Sequence, residues 1–169
     1  MITRNSDDPV PVVYDVNVLV GAVAGGNSPY RSWPSPPPTS GNPFADCLGI
    51  AVDAAEFALW LSPHLMSNTE RVLHKALDWE ADRVEHYLRL LTKVAVHSGG
   101  GLLEPPPTVS DCQDWEDNRV LDLVVEVGAL PVVSADADLT GMSPWRGTPI
   151  LHPREFVAKV DAMRRHRRR

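Results

Sequence analysis

The stretch DCQDWEDNRVLDLVVEVGALPVVSADADLT, residues 111–140, decides the fold. From Asp117 onward Val120, Leu121, Val124, Val125 and Val127 recur at helical spacing and Gly128 supplies a stop, which predicts an amphipathic helix of about three turns. Asp114, Glu116 and Asp117 stand at its start, where carboxylates cap free N–H groups and the helix dipole favours negative charge. Residues 129–134, ALPVVS, are a short apolar run of the kind buried on both faces of a parallel sheet. The run ends in Ala135-Asp136-Ala137-Asp138, so acids stand at the carboxyl end of a strand, where open α/β sheets bind ligands.

A second stretch repeats the pattern upstream. Pro11-Val12-Val13-Tyr14 reads as an apolar strand ending on Asp15, and Val16-Asn17-Val18-Leu19-Val20 as the start of a helix. Carboxylates gathered at neighbouring strand tips repel one another unless a cation lies between them. The economical expectation is a divalent-metal site.

Length and composition fit one globular domain. A chain of 169 residues can bury a sizeable core, and 43% hydrophobic residues argue against disorder. Cys47 and Cys112 show neither metal-ligand spacing nor a disulfide framework, which suits a reducing compartment. The opening MITRNSDDPV lacks the apolar core of a signal peptide, and no run is long enough to span a bilayer, so a cytoplasmic location is expected. The net charge of −6 includes five arginines in the last six residues, so the body of the chain is more acidic still. The expected organisation is a single domain over residues 1–163 with a basic tail, 164–169, that is either a solvated end or a hold on a polyanion.

Between these landmarks, residues 21–46 are so dense in Gly, Pro and Ser that no regular element is expected there, with the proline-rich loop proper at about 21–44. Tyr30, Arg31 and Trp33 within it either pin the loop to the surface or hold a base and a phosphate of RNA, and the prolines offer a third role, binding to a partner domain. Residues 45–56 read as a helix and 57–61 as a second buried strand. Ser62-Pro63 opens another helix as cap and first-turn proline. A further helix covers about 79–96, 98–107 is a linker, 148–151 a last short strand, and the chain from His152 a terminal helix. This alternation is that of a parallel α/β sheet. No glycine-rich phosphate loop, nucleophile elbow or internal repeat is present, and the histidines share no ligand spacing.

These residues resemble a known family. Tyr14-Asp15-Val16-Asn17-Val18-Leu19-Val20 is similar to the opening motif of PIN-domain nucleases, the fold of VapC-type toxins. Residues 114–121 resemble their acid-rich helix start, 133–139 their last acidic strand end, and Thr148 to Phe156 the ending of a subgroup associated with toxin-antitoxin systems. The resemblance spans about 12–157 without the proline-rich loop. It implies a three-layer α/β/α fold with a central parallel sheet, and a nuclease that holds Mg²⁺ or Mn²⁺ on acids to hydrolyse single-stranded RNA. Carried over by position, Asp15, Asp117 and Asp136 would be catalytic metal ligands, Asp138 an auxiliary, and Asn17 and Ser134 the groups that orient the carboxylates. The implied partners are an RNA substrate, a small antitoxin protein and a second copy of the chain in a homodimer, with no membrane.

One departure matters. The family's second acid, six residues after Ser62, is Asn68 here, which offers a metal a carbonyl oxygen without a negative charge. Glu70 lies about 200° further round the helix and substitutes only with a shifted register. Val16 stands where Thr is common. The residues themselves leave simpler roles open: Asp114 as a helix cap, and Asp138 as a cap for the turn at 139–142. The reading is a metal-dependent endoribonuclease and toxin. The alternatives are a PIN-fold protein of attenuated chemistry that binds RNA or a partner, and a Mg²⁺-dependent phosphoryl-transfer or receiver-like protein.

Overall fold

Val10–Tyr14 (β1) is the middle strand of a five-stranded sheet; the structure, a computed structural model, describes residues 5, 7–24 and 41–169. In chain order, β1 is followed by α1 (Val16–Ala24), α2 (Pro43–Asp53), β2 (Phe57–Leu61), α3 (Pro63–Leu77), α4 (Ala81–His97) and β3 (Gly101–Leu102). Then come α5 (Trp115–Val127), β4 (Val132–Val133), α6 (Ala137–Thr140), β5 (Ile150–Leu151) and α7 (Pro153–Arg167). The strand order is β3-β2-β1-β4-β5 and every pairing is parallel. The chain therefore winds outward on one side of β1 to β3 and then returns to wind outward through β4 to β5.

Two cores sandwich this sheet because side chains alternate across each strand. Val12 and Tyr14 of β1 face one core with Val133, Leu151, α1, α2, α4 and α7; Val13 faces the other with Val132, Ile150 and the inner face of α5. Helices thus cover both faces, giving the three layers expected. The short apolar runs are strands for this reason: each side chain, odd or even, meets apolar partners.

Local signals fixed most helix ends. Ser62 Oγ accepts from Leu65 N at 3.1 Å with Pro63 in the first turn, and Gly128 closes α5 at φ 64°. Asp114 accepts from Glu116 N at 2.8 Å, which starts α5 two residues before Asp117 and makes Asp114 the cap.

Several boundaries differ from expectation. Helix α1 runs on to Ala24 and α2 begins at Pro43 under an Asn42 cap, so both elements enter the segment read as loop; residues 25–40, with Arg31 and Trp33, lie outside the described residues. The supposed linker contains β3, which glycine disguises. A Cβ on Gly100 would come within 1.9 Å of the Leu59 carbonyl oxygen, so only glycine lets the chain close against β2. The turn after β4 is the helix α6, and its cap is Asp136, which accepts from Asp138 N at 2.9 Å, not Asp138. The arginine tail is not a separate arm from its first residue: α7 runs to Arg167, and Arg164 pairs with Glu56 at 2.6 Å and Asp53 at 3.0 Å. Among the described residues no helix is long and apolar enough to cross a membrane.

One buried hydrogen-bond pair offers a simple check on the β2 side. Ser98 Oγ accepts from Leu59 N at 2.8 Å and donates to Ala95 O at 2.8 Å. Ser98→Ala strands a buried strand N–H and is expected to lower unfolding free energy by about 1–3 kcal/mol, measured by urea titration. No change in the midpoint would mean that the N–H finds another acceptor.

Candidate active site

The winding direction reverses at β1, so a crevice opens at the carboxyl ends of β1 and β4, the usual ligand position in such sheets. Asp15 follows the last residue of β1, and Asp136 lies three residues beyond β4. Asp117 is delivered by the first turn of α5. All three line one pocket of about 490 Å³, together with Asn68, Asp114 and Glu116. Asp138 is exposed outside that lining, close enough to push the Asp117 pKa up.

Asn17 and Ser134 stitch the two strand ends together. Ser134 Oγ donates to Asp15 Oδ2 at 2.7 Å, and Asn17 Nδ2 reaches the same oxygen at 3.0 Å. Asn17 Oδ1 accepts from Ala135 N at 3.0 Å, and Ser134 Oγ accepts from Asp136 N at 3.0 Å. The other oxygen of Asp15 accepts from Val16 N at 2.8 Å at the head of α1. Asp15 is therefore both a helix cap and a buried carboxylate with a fixed rotamer.

The acids strain one another electrostatically. Burial lifts the Asp15 pKa, opposed by its hydrogen bonds to Ser134 and Val16, with Asp136 adding to the rise. Asp117 is pushed up from 3.8 to about 7 by burial first, then by the charges of Asp114, Asp15, Asp136 and Asp138. Cys112 is also raised, by burial and then by Asp117 and its neighbours. An all-oxygen set that repels itself in this way suits a hard divalent cation, which would remove the repulsion. Yet among the described residues no three His, Cys, Asp or Glu side chains already stand in an ion-holding group. Asp15 is engaged by its hydrogen bonds and Asp136 by capping α6.

Asn68 reaches the pocket and Glu70 does not. α3 keeps a regular register, so Glu70 lies on another face beside His74, 4.0 Å away, and cannot take the place of the missing acid. The Asn68 amide is occupied: Oδ1 accepts from Arg71 Nη2 at 3.3 Å and Nδ2 lies 2.9 Å from His64 Nε2. Arg71 also pairs with Glu116 across to α5 at 2.9 Å. Sequence reasoning missed Arg71 as a pocket residue. Its signal was available, since Arg71 lies three residues after Asn68 and shares its helix face.

Fold and pocket together define a doubly wound α/β protein with an acidic cleft at its switch point. A family model described as the PIN domain matches residues 11–138, and the chain belongs to that family, a nuclease-type domain that typically uses divalent metal ions. No curated protein matches the chain.

The Asp117 shift gives a pH prediction for the metal-free protein. A carboxyl whose folded pKa is raised contributes stability that is fully present below its ordinary value near 3.8 and lost as pH rises to about 7. In chelator, the melting temperature should therefore carry a downward contribution between those pH values that Asp117→Asn removes. Mn²⁺ should restore stability above pH 7 in the wild type and not in the variant. Parallel pH profiles for the two proteins would sink this account.

Proposed function

We propose that this chain is a metal-dependent endoribonuclease that cleaves single-stranded RNA and serves as the toxin of a type II toxin-antitoxin pair. The observation that carries the nuclease reading is the meeting of Asp15, Asp117 and Asp136 in one pocket, with the Asp117 pKa pushed up to about 7 by burial and then by its acidic neighbours. These three would hold Mg²⁺ or Mn²⁺, with Asp138 at the rim. Such an ion lowers the pKa of a bound water and neutralises charge on a phosphodiester. Asn17 and Ser134 hold the Asp15 carboxylate in one orientation, which keeps its oxygens aimed while substrate enters. Val16, Val20, Phe44, Val72 and Val120 form apolar walls that lower the local dielectric. The toxin role rests on the ending from Thr148 to Phe156, beyond the matched residues, and implies a cytoplasmic chain with a small antitoxin partner.

The test is labelled single-stranded RNA incubated with the protein and Mg²⁺ or Mn²⁺, beside chelator and Asp15→Asn controls. Cleavage that needs the metal and disappears in the control supports the nuclease; absence of cleavage with either metal overturns it. Induced expression in a bacterial host tests the toxin role, since growth arrest by the wild type and not by Asp15→Asn is expected. A second reading, RNA retention with attenuated cleavage, is favoured by Asn68, an uncharged amide already engaged by Arg71 where the resemblance implies an acid.

A further inference from the structure

We propose that the corner of the pocket occupied by Asn68 is a nucleotide-binding subsite, in which Arg71 takes a phosphate oxygen of a single-stranded polynucleotide and Trp115 stacks one of its unpaired bases. The substrate class rests on the nuclease reading above.

Asn68 and Arg71 line the pocket here, and His64 and Trp115 adjoin them outside its lining, the four side chains of α3 and α5 forming one connected unit. Arg71 donates to Asn68 Oδ1 at 3.3 Å, and Asn68 Nδ2 sits 2.9 Å from His64 Nε2. His64 in turn meets Trp115 edge to face, with centroids 5.1 Å apart and planes at 88°. The amide of residue 68 accepts from the Arg71 guanidinium and lies against the His64 imidazole nitrogen, so it ties the two together. Asn68 thus links Arg71 to His64 without adding a negative charge to the pocket.

The two outer members are suited to a nucleotide. Trp115 is 61% exposed, an unusual setting for the largest apolar side chain, and it directly follows Asp114 of the pocket lining. His64 and Arg119, whose guanidinium lies 5.6 Å from the ring centroid, brace the indole while leaving most of it open. Aromatic rings displayed beside a backbone-binding groove are how single strands are held without sequence readout. Arg71 lines the pocket and uses a single nitrogen, Nη2, for both Asn68 and Glu116. Its remaining N–H groups make no hydrogen bond among the described residues and suit a phosphate oxygen. Glu116 holds the guanidinium at the rim, 2.9 Å away, so the cation stands ready beside an otherwise acidic pocket.

The experiment measures binding of a short fluorescein-labelled oligouridylate to the full chain by anisotropy, with Ca²⁺ present, and cleavage of the same oligomer with Mn²⁺. Trp115→Ala should weaken binding about tenfold and raise KM in parallel, with kcat falling much less, while Trp115→Phe keeps most of the affinity. In a series of oligomers each carrying one abasic nucleotide, a single position should lose affinity for the wild type and show no further loss for Trp115→Ala. Arg71→Ala should weaken binding and flatten its salt dependence, with Arg71→Lys intermediate. Asn68→Asp, isosteric but placing a negative charge beside the phosphate held by Arg71, should raise KM by a smaller factor. Binding by Trp115→Ala or Arg71→Ala equal to wild type would overturn the subsite, as would failure of the wild type to retain the oligomer. Retention without cleavage, lost in Trp115→Ala, would instead sink the nuclease reading and leave the subsite standing.

Discussion

Asp15→Asn is expected to leave the protein folded and to abolish RNA cleavage. The substitution is isosteric and keeps an oxygen for the Val16 N–H, so the head of α1 retains its cap. It removes one of the charges that lift Asp117, which offsets the loss of the second acceptor for Asn17 and Ser134. Stability should therefore move little. Activity should fall by more than about 100-fold, the upper end of what losing an orienting partner alone costs a metal site. Ser134→Ala supplies that comparison: it removes the 2.7 Å bond to Asp15 without touching a carboxylate, and should lower activity by roughly 10–100-fold. Cleavage rates of the three proteins under saturating Mn²⁺, with melting curves as folding controls, decide the matter. An Asp15→Asn protein no worse than Ser134→Ala would remove Asp15 from the chemistry.

Arg164→Ala should be the most destabilising surface-to-alanine change near the C-terminus. The Glu56 carboxylate is almost wholly buried, and Arg164 Nε lies 2.6 Å from it while Nη1 reaches Asp53 at 3.0 Å. Removing the cation leaves a buried charge without compensation, a loss of about 3 kcal/mol at the low end for broken buried pairs, since the arginine is itself partly exposed. For a chain of this size the melting temperature should drop by roughly 6–12 °C. Deleting residues 165–169 keeps the pair and should cost far less. Equal losses from the two changes would mean that α7 docks through its end and not through this arginine.

The sequence made the sheet legible because its strands are short apolar runs bounded by turn residues, and a run buried on both faces has few other homes. Asp15 and Asp136 were readable for the same reason: each terminates such a run. Asp114 was readable as a cap, since Ser, Asp and Asn before a helix act within two or three residues of themselves. β3 was not readable, because the glycines that permit close approach to Leu59 look the same in a linker.

What the sequence determined by itself was the α/β order, the parallel sheet and the acids at its strand tips, since each depends on contacts a few residues away or on simple periodicity. The tertiary structure alone decided that Arg71 meets Glu116 across 45 positions, that Asn68 is engaged by its neighbours, and that Arg164 answers Glu56 across 108. Such pairings follow from how α3, α5 and α7 pack against the sheet, and no local pattern in the chain carries that geometry.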